Sequence, residues 1–471
     1  MNVLWTSAAA SVATGGRPNR DWRASDISID SRTVQPGDLF IALKGPTHDG
    51  HEYVAEALAA GANAAMVDRI PADVPAYAPL LVVNDTMEAL HALGRAARTR
   101  TGATVIAVTG SAGKTGAKEA LKLVFSSQGP TAASAESHNN HWGVPLSVAR
   151  MPGETAFGVF EIGMNHPGEI SPLSSLVRPH VALITTVEAA HIEFFPSVEA
   201  IADAKAEIFD GMARTGAAVL NRDNPHFERL AAAARARGLR RILSFGAHAE
   251  AWARLVDAAP DAAGTAITAD IGFTRVAYRI GIPGRHWVIN SLGVLAAVVA
   301  SGANVAAAAA ALVALQPAPG RGRRFEADVT GGRIAVIDES YNANPASMRA
   351  AIEALAAQRP GHGGRRIAVL GDMRELGAES GPYHTALAEP LDKSGIDLVF
   401  TAGTEMARLH DALPASRRGA HAANSKELAP IVAAALRPGD VVMVKGSHGS
   451  RMDFVIAALA PRAAPVLAAA G

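Results

Sequence analysis

The sequence has no cysteine among its 471 residues. Disulfide bonds, thiolate metal sites and thiol nucleophiles are therefore excluded, and this composition suits a cytoplasmic protein. A surplus of charge is missing as well, because 44 Lys and Arg residues balance 44 Asp and Glu residues. Proteins that bind nucleic acid usually carry a basic surplus, so we expect no nucleic-acid partner.

Features of membrane targeting are also scarce. The amino-terminal segment has no Lys or Arg before Arg17, whereas a secretory signal carries positive charge ahead of its apolar part. Residues 287–316 contain no Asp, Glu, Lys or Arg, and such a segment is long enough to span a bilayer. However, Ser-Gly-Ala-Asn at 301–304 interrupts it. Two buried helices are therefore predicted here, and we expect a soluble protein without membrane insertion.

The length corresponds to about three domains of roughly 150 residues each. Two segments have the composition of joints between domains. Residues 98–102 are polar, and residues 317–323 are rich in proline, glycine and arginine. The predicted domains are residues 1–100, 101–318 and 319–471.

Short apolar runs alternate with helical segments along the chain. Such continuous runs are typical of parallel strands that are buried on both faces of a sheet. The strand candidates are residues 38–43, 80–83, 105–108, 158–162, 181–185, 217–220, 334–337, 367–370, 398–401 and 441–444, and helices are predicted at 52–60 and 86–99. The fold class is therefore α/β, with a small amino-terminal domain, a central parallel-sheet domain and a carboxyl-terminal Rossmann-like domain. Functional loops should lie at the carboxyl ends of the strands.

The segment VTGSAGKTGAKEAL, residues 108–121, has the strand, glycine loop and helix of a phosphate-binding loop. Gly110 and Gly113 allow backbone N–H groups to approach phosphate oxygens at a helix N-terminus. Lys114 can neutralise phosphate charge, and the hydroxyl of Thr115 can bind Mg²⁺. The spacing is shorter than the usual G-x-x-x-x-G-K-[ST], so an ordinary turn with a surface lysine is the alternative.

Two more polar side chains follow the next strand candidates. Glu161 ends the run at 158–162, and His191 follows the run at 181–185. A carboxylate among apolar residues is costly to bury unpaired, and either Mg²⁺ or a salt bridge would satisfy Glu161. A lone histidine is more often structural than functional. Because all three loops follow successive strands, the pattern predicts one catalytic rim formed with the glycine loop.

Beyond these features, the chain resembles the Mur ligases of peptidoglycan synthesis over essentially its whole length. The motifs that carry the resemblance are DSRTVQPGDLFIALKGPTHDGHEYV, TGSAGKT, SHNNHWGVP, EIGMNHPGEI, AHIEFFPSVEAIADAKAEIF, NRDNP, INSLGVLAA, DESYNANPASM, LGDMRELG and KGSHGSRMD. The short loop spacing is the normal form in that family. YNANP favours the member that adds D-alanyl-D-alanine over the member that adds the third residue, which typically carries DNPR.

The resemblance implies a three-domain ligase that uses ATP and Mg²⁺. The amino-terminal domain would bind the uridine diphosphate end of the substrate, the central domain would be the P-loop-type ATPase, and the carboxyl-terminal domain would bring the incoming amine. ATP would phosphorylate the terminal carboxylate of UDP-N-acetylmuramoyl-tripeptide, and D-alanyl-D-alanine would attack the acyl phosphate. Phosphoryl transfer between two anions depends on cations and positioning.

The same resemblance implies roles for individual residues. Catalytic positions are Lys114, Glu161, His191 and Lys205; the metal-associated set is Thr115, Glu161, His191 and Lys205, the last as a carbamate. Nucleotide-contacting positions are Gly110, Ser111, Gly113, Lys114, Thr115, Asn290, Arg321, Asp338, Tyr341 and Asn342. Arg323 is an alternative to Arg321, because the run Gly-Arg-Gly-Arg leaves the register open. Without the resemblance, Lys205 is read as a solvated helical lysine.

Substrate-binding positions are implied in the same way. The set comprises Ser31 and Arg32 for the uridine diphosphate, Asn139 and Asn140 near the muramoyl-peptide, and Asp372, Glu375, Lys445, Ser447 and Arg451 around the dipeptide. For each charged residue of the last group, a surface salt bridge is the alternative. The residues do not distinguish meso-diaminopimelate from lysine at position three of the tripeptide, and we expect a monomer.

Three departures from the family pattern stand out. Gly116 replaces a common Thr, Val187 replaces a frequent Asn, and Asp453 replaces the more usual Glu. None removes a charged catalytic position, so we expect activity. Within the same class, the alternatives are another Mur ligase or a folylpolyglutamate-synthase-like ligase with a different acceptor. Outside it, the alternative is a non-catalytic nucleotide-binding protein, which would keep Lys114 but could lose Glu161, His191 and Lys205, and all three are present.

Overall fold

The computed structural model describes residues 3–75, 77–135, 138–261 and 264–460. Contacts divide the chain into two compact units. The first unit runs up to Val187 and also includes Ala202–Gly281 and Val288–Leu315. The second unit comprises Glu188–Ile201, Ile282–Trp287 and the chain from Gln316 onward.

The amino-terminal part of the first unit contains a five-stranded sheet in the order β2-β7-β6-β5-β4. The five strands of this sheet are β2 Arg17–Pro18, β4 Asp26–Ser28, β5 Asp38–Ile41, β6 Ala64–Val67 and β7 Leu80–Val82. A separate two-stranded sheet pairs β1 Trp5–Thr6 with β3 Arg23–Ala24. The helices of this part are α1 Ser7–Thr14, α2 Val54–Ala59 and α3 Thr86–Thr99. Asp85 begins α3 by accepting a hydrogen bond of 2.8 Å from the backbone N–H of Glu88, which satisfies a donor that the helix leaves unpaired. The helices predicted at 52–60 and 86–99 are confirmed.

A nine-stranded sheet forms the centre of the first unit, in the order β16-β15-β14-β13-β12-β11-β8-β10-β9. Its strands are β8 Thr104–Thr109, β9 Thr131–Ala133, β10 Phe157–Glu161, β11 Val181–Ile184, β12 Ala217–Asn221, β13 Arg241–Gly246, β14 Ala253–Asp261, β15 Gly264–Ile271 and β16 Thr274–Ile280. Pairing is parallel from β9 to β14, as predicted for the apolar runs, and antiparallel for β14, β15 and β16. This antiparallel extension was not predicted from the sequence.

Helices cover the central sheet, and two of them were predicted from the uncharged segment. The helices are α4 Lys114–Ser126, α5 Gly143–Ala149, α6 Ile170–Val177, α7 Val198–Ala206, α8 Phe227–Ala236, α9 Arg285–Ala300 and α10 Val305–Ala311. Asn304 caps α10 through a 3.0 Å hydrogen bond from Ala307 N–H, so the interruption at 301–304 ends one helix and begins the next. Among the described helices, none is long and apolar enough to cross a membrane.

The second unit is built on a six-stranded sheet in the order β17-β18-β22-β19-β20-β21. Its strands are β17 Arg323–Val329, β18 Gly332–Glu339, β19 Arg366–Gly371, β20 Leu398–Ala402, β21 Arg418–Ala422 and β22 Val441–Lys445, and its helices are α11 Pro345–Ala356, α12 Ser380–Thr385, α13 Ala388–Lys393, α14 Met406–Ala412, α15 Ser425–Ala435 and α16 Asp453–Leu459. All neighbouring strands pair in parallel except β17, which is antiparallel to β18. Buried clusters form on both faces of the sheet, as expected for a parallel sheet between two layers of helices.

Candidate functional site

The predicted phosphate-binding loop connects β8 to α4, and neighbouring side chains pack closely against its glycines. Gly113 has φ 80° and forms the N-cap of α4. A Cβ atom at Gly113 would lie 2.6 Å from Nδ2 of Asn290, and a Cβ at Gly110 would lie 2.0 Å from Oγ1 of Thr185. Both glycines are therefore required by close approach, and the first of these contacts brings predicted Asn290 to the loop.

Hydrogen bonds from the end of β11 hold this loop in place. Thr185 donates from Oγ1 to the carbonyl of Ala112 at 2.5 Å. Ser111 N–H donates to the carbonyl of Thr186 at 2.8 Å. A backbone fixed in this way pre-orients its N–H groups, which is what a phosphate-binding loop requires. Sequence reasoning missed the role of Thr185, although its position after a parallel strand was a usable signal.

The NRDNP motif, residues 221–225, holds the end of β11 in place through hydrogen bonds. Asn224 donates from Nδ2 to Oγ1 of Thr186 at 3.0 Å and to the carbonyl of Val187 at 2.9 Å. Asn221 donates to the carbonyl of Thr185 at 3.0 Å. The contact to Val187 uses its backbone, so the departure from Asn at this position leaves the contact in place.

Glu161 is the centre of the polar cluster beside the loop. Its carboxylate is buried, with 1% of the residue exposed. Thr115 donates from Oγ1 to Oε2 at 2.8 Å, and Asn139 donates from Nδ2 to Oε1 at 2.7 Å. Lys114 donates from Nζ to the carbonyl of Gly110 at 2.6 Å. Four predicted residues thus come together at the carboxyl ends of β8 and β10.

The charge of Glu161 is not balanced by an ion pair in the described part of the chain. No lysine, arginine or histidine there forms a salt bridge with it, and its two hydrogen-bond donors are neutral. A buried carboxylate requires a compensating cation or hydrogen bonds to remain ionised. Among the described residues no salt bridge satisfies Glu161, and its role as a Mg²⁺ ligand stays a prediction.

The residue types of this cluster fit Mg²⁺. Groups of three or more His, Asp or Glu side chains suited to a metal are absent from the described residues. Mg²⁺ does not need such a cage, because it is commonly bound through one or two protein oxygens, waters and substrate phosphates. Thr115 and Glu161 supply oxygen ligands of the kind it prefers.

Lys205 lies near the end of α7 and is buried, with 2% of the residue exposed. Burial lowers the pKa of its amine well below the usual value, and the positive charge of Lys114 adds to this shift. The interpretation of Lys205 as a solvated helical lysine was therefore wrong. A buried amine that is readily neutral can act as a nucleophile.

Glu207, two residues further on, was missed by the sequence analysis. Its carboxylate accepts hydrogen bonds from three backbone N–H groups, those of Gly168 at 2.7 Å, Ile170 at 3.1 Å and Ser171 at 3.2 Å. These groups lie at the start of α6, where a negative charge is favourable. Glu207 therefore links the segment that carries Lys205 to the loop that follows Glu161.

The Asn139–Asn140 pair is hydrogen-bonded to the segments around Glu161. Gly163 N–H donates to the carbonyl of Asn139 at 2.8 Å, and a Cβ at Gly163 would lie 2.7 Å from Oδ1 of Asn139. Asn140 accepts a hydrogen bond of 2.9 Å from the N–H of Gly143 at the start of α5. The pair therefore connects Glu161 to the segment that follows it and to α5.

Lys118 is another residue that sequence reasoning missed. Its side chain is fully buried on α4 and donates from Nζ to the carbonyl of Ser134 at 3.0 Å. Ser134 in turn accepts, on Oγ, a hydrogen bond of 3.2 Å from the N–H of Glu161. The glycine-loop helix is thereby tied to the strand end that carries the carboxylate.

Ser31 and Arg32, predicted for the uridine diphosphate, lie in a short 3₁₀ helix at residues 31–33. Asp30 caps this helix and forms a two-point pair with the Arg32 guanidinium at 2.9 and 2.6 Å. That pair lowers the pKa of Asp30. The Arg32 side chain is 82% exposed, so it is accessible to a ligand.

In the second unit, several predicted residues lie at the carboxyl ends of β18 and β22. Lys445 is buried and donates from Nζ to the carbonyl of Asn342 at 2.9 Å, and burial lowers its pKa. Asp338 accepts a hydrogen bond of 3.0 Å from Gly320 N–H. The Arg321 guanidinium lies over the Tyr341 ring at 4.0 Å. Arg323 lies over Phe325 instead, and the choice of Arg321 as the nucleotide contact stays a prediction.

The remaining candidates for the dipeptide lie on loops of the same unit. Ser447 N–H donates to the carbonyl of Asp372 at 3.0 Å, and Oδ1 of Asp372 accepts from Met406 N–H at 2.8 Å. Arg451 forms an exposed pair with Asp453 at 2.8 Å. The carboxylate of Asp372 therefore caps a helix, and Arg451 has a partner of its own on the surface.

His191 and Glu375 are paired within the second unit. His191 Nδ1 forms a hydrogen bond with a carboxylate oxygen of Glu375. The contacts of His191 place it in this unit, so its predicted place on the rim with the glycine loop and Glu161 stays a prediction.

Comparisons with known proteins agree with this arrangement. Three family models match the chain: the "Mur ligase family, catalytic domain" over residues 24–98, the "Mur ligase middle domain" over residues 108–298 and the "Mur ligase, glutamate ligase domain" over residues 323–448. The UDP-N-acetylmuramoyl-tripeptide–D-alanyl-D-alanine ligase of Escherichia coli (strain K12) is 35% identical over 455 residues, which cover 96% of this chain and 97% of that protein. The protein of the same name from Bacillus subtilis (strain 168) is 32% identical, covering 91% and 92%.

Solved structures give the same result. A crystal structure of MurF from Acinetobacter baumannii superimposes with a TM-score of 0.83 at 30% identity, covering 97% of this chain and 98% of that one. MurF ligase from Thermotoga maritima, in complex with ADP, gives a TM-score of 0.75 at 26% identity, covering 92% and 96%. The bifunctional folylpolyglutamate synthase of Yersinia pestis, at 14% identity and a TM-score of 0.57 over 78% of this chain and 92% of that one, shares the fold alone. The predicted three-domain α/β architecture is confirmed, whereas the boundaries at 100 and 318 stay predictions, and the chain belongs to the Mur ligase family.

Proposed function

We propose that the chain is an ATP-dependent ligase that joins D-alanyl-D-alanine to UDP-N-acetylmuramoyl-tripeptide and releases ADP and phosphate. The reaction supplies a peptidoglycan precursor. Relatives with this activity in their names are 30 to 35% identical and cover at least 90% of the chain. The D-alanyl-D-alanine specificity, which YNANP favours, separates this activity from those of the other Mur ligases.

The observation that carries the proposal is the position of Glu161. A buried carboxylate without a described ion-pair partner lies against Thr115, the residue that follows the loop lysine. A lysine, a hydroxyl and a carboxylate are the groups that bind a nucleotide phosphate together with Mg²⁺. Thr115 and Glu161 would hold this ion, and it would neutralise negative charge on the phosphates. A loop that only turned the chain would not need a buried anion beside it.

The chain's own residues then act by binding and orienting the two anions. Backbone N–H groups of the glycine loop and the Lys114 ammonium bind the ATP phosphates and stabilise charge during phosphoryl transfer. Asn139 orients Glu161 and, with Asn140, contacts the muramoyl-peptide. Transfer of the γ-phosphoryl group to the peptide carboxylate breaks its bond to ADP and forms the acyl phosphate. The neutral amine of D-alanyl-D-alanine attacks the acyl carbon, and phosphate leaves.

Lys205 has the properties that carbamylation requires. A neutral amine attacks CO₂ to form a carbamate and releases one proton, and burial favours that neutral amine. The carbamate would replace a potential cation with an anion and would supply an oxygen ligand for Mg²⁺. The role of His191 as a metal-associated residue rests on the family resemblance. The depressed pKa of Lys205 supports this role.

Other residues of the chain bind the substrates and the nucleotide. Ser31 and Arg32 bind the uridine diphosphate. Nucleotide contacts come from Asn290, Arg321, Asp338, Tyr341 and Asn342, and dipeptide contacts come from Asp372, Lys445, Ser447 and Arg451. The three domains at 1–100, 101–318 and 319–471 divide these tasks. We place the reaction in the cytoplasm, where ATP and nucleotide-linked precursors are available, and expect a monomer.

Phosphate release tests the proposal. The purified protein is incubated with ATP, Mg²⁺, UDP-N-acetylmuramoyl-tripeptide and D-alanyl-D-alanine, and each component is omitted in turn. We expect release that requires both organic substrates, and a UDP-muramoyl-pentapeptide by mass spectrometry. Release without either substrate would indicate a simple ATPase, and release only with another amino acid would indicate a different Mur ligase. Parallel assays with meso-diaminopimelate and lysine tripeptides identify the accepted third residue.

A further inference from the structure

We infer that Glu375 is a positioning residue for His191 and not a ligand of the dipeptide. In this arrangement, the Glu375 carboxylate accepts the hydrogen of His191 Nδ1, so that Nε2 carries the free lone pair. The inference rests on the proposed function, because it assigns His191 Nε2 to the catalytic ligands of that reaction.

The first line of evidence is the number of contacts between the two segments. The side chains of His191 and Glu375 form a hydrogen bond through Nδ1. Glu193 N–H also donates to the carbonyl of Glu375 at 3.3 Å. Ile192 packs on the buried cluster of the six-stranded domain. The segment that carries His191 is therefore fixed at three consecutive residues, two of them bonded to Glu375.

The second line of evidence is backbone strain. Only four described residues other than glycine have positive φ, namely Arg178, His191, Glu375 and Arg451. Arg178 and Arg451 are the C-caps of helices, where a left-handed residue is common. His191 at φ 60° and Glu375 at φ 63° are bonded to each other instead. Strain of this kind persists where surrounding contacts enforce it, and it clusters at functional sites.

Neighbouring side chains enforce the conformation of the loop that carries Glu375. Met373 N–H donates to Nε2 of the fully buried His384 at 2.9 Å. Arg374 N–H donates to Oγ of Ser447 at 2.9 Å. The carboxylate is therefore presented to His191 by a loop whose two residues before Glu375 are held by hydrogen bonds to side chains of the same unit.

The chemistry of imidazole explains why this pairing matters. A neutral histidine carries one hydrogen, and a carboxylate that accepts it at Nδ1 leaves Nε2 as the basic nitrogen. Histidines that bind metal usually donate their second nitrogen to a carboxylate or carbonyl in this way. The side chains of His191 and Glu375 are 23% and 40% exposed, so neither is closed off from solvent.

The test combines a spectroscopic and a kinetic measurement. In protein labelled with ¹⁵N-histidine, the two ring nitrogens of His191 are identified by comparison with the variant His191→Asn. We expect hydrogen on Nδ1 in the unsubstituted chain and a mixture of tautomers in Glu375→Ala and Glu375→Gly. This readout does not depend on ligase activity, so it remains informative if the proposed function is wrong.

The kinetic arm separates positioning from substrate binding. We expect kcat to fall about 10- to 100-fold in both variants, with KM for D-alanyl-D-alanine nearly unchanged. Glycine adopts φ 63° without strain, so Glu375→Gly should unfold at the same or a higher temperature than the unsubstituted chain. Its lower kcat would then not result from misfolding. Glu379→Gln, on an exposed glutamate of the next turn, is the control and should keep full activity.

Two outcomes would overturn the inference. An unchanged His191 tautomer in both Glu375 variants would show that Glu375 does not set it. A raised KM for the dipeptide with normal kcat would assign Glu375 to substrate binding instead. If the unsubstituted chain has no ligase activity but the tautomer changes in the variants as expected, the proposed function is refuted and the role of Glu375 in positioning His191 stands.

Discussion

Thr115 donates a 2.8 Å hydrogen bond to Glu161 across the ends of two neighbouring strands. The pairing of the strands accounts for this contact, because Glu161 on β10 lies opposite Val108 on β8. The loop that follows β8 returns Thr115 to the same edge at the first turn of α4. Two residues far apart in sequence thus meet where parallel strands end, which is where ligands bind in such sheets.

The first prediction concerns the charge of Glu161. In Glu161→Gln, the side-chain oxygen can still accept a hydrogen bond, but the negative charge is lost. We expect ligase activity to fall by about two orders of magnitude, because the metal ion loses a ligand, while the melting temperature stays the same or rises. Mg²⁺ titration of substrate-dependent phosphate release measures the effect, and thermal unfolding provides the second readout.

Glu353→Gln is the control for this substitution, because Glu353 is an exposed residue of α11. It should leave both readouts unchanged. Full activity of Glu161→Gln at the same Mg²⁺ concentration would exclude the metal role of Glu161.

The second prediction concerns the fit of the glycine loop. Alanine at Gly113 requires a left-handed backbone, which costs about 1 kcal/mol, and its Cβ would lie 2.6 Å from Nδ2 of Asn290. Relief of that overlap adds about 1–3 kcal/mol and moves Asn290 or the loop. We expect Gly113→Ala to lose ATP affinity and stability together, as measured by nucleotide titration and chemical unfolding.

Gly302 offers a matched control. It has φ 79°, close to the 80° of Gly113, and a Cβ there would meet no atom within 4 Å. Gly302→Ala should therefore show only the backbone cost and keep normal ATP affinity. Equal behaviour of the two variants would mean that the contact with Asn290 has no role in the loop.

Sequence patterns predicted the parallel strands and the phosphate loop because both depend on local features. Apolar runs such as 105–108 and 181–185 predict buried strands, and the structure has β8 and β11 at these positions. The antiparallel strands β14, β15 and β16 were missed, because many residues of β14 and β16 are exposed or half-buried and alanine weakens the contrast between the two faces of β15. An exposed sheet edge of this kind carries little apolar signal.

The candidate site was less accessible to such reasoning where burial decides the role of a residue. A lysine on a helix reads as solvated surface, yet Lys205 and Lys118 are both buried. Their environments are formed by segments distant in sequence, and Ser134 with Lys118 is an example. The resemblance to Mur ligases supplied the role of Lys205, whereas nothing in the motifs indicated Lys118 or Glu207.

The third prediction concerns the pH dependence that Lys205 produces. Burial lowers its pKa in the folded protein below the value of 10.5 that applies in the unfolded chain. Between these two values the unfolded chain binds more protons, so stability rises with pH in that window. Lys205→Met removes the cost of burying the amine. In CO₂-free buffer, this variant should be more stable than the unsubstituted chain at neutral pH, and the difference should shrink as the pH approaches 10.5.

Lys122→Met is the control, because Lys122 is an exposed lysine on α4. Its unfolding should follow the unsubstituted chain at every pH. Addition of bicarbonate extends the test, since a carbamate would stabilise the unsubstituted chain and leave Lys205→Met unaffected. An unfolding free energy for Lys205→Met that parallels the unsubstituted chain at all pH values would contradict a lowered pKa.

The fourth prediction concerns Glu207, whose carboxylate accepts three backbone hydrogen bonds at the start of α6. Glu207→Ala leaves these donors to water and removes a charge that favours the helix N-terminus, so we expect a loss of about 2 kcal/mol in the free energy of unfolding. Because Lys205 lies two residues away, kcat should fall as well. Glu207→Gln keeps one acceptor oxygen, so its free energy of unfolding should lie between those of the unsubstituted chain and Glu207→Ala.

Urea unfolding and phosphate release measure the effects on stability and on kcat, with Glu353→Ala as the control. A Glu207→Ala variant with normal stability would show that water replaces the carboxylate at no cost, and normal kcat would separate Glu207 from the site.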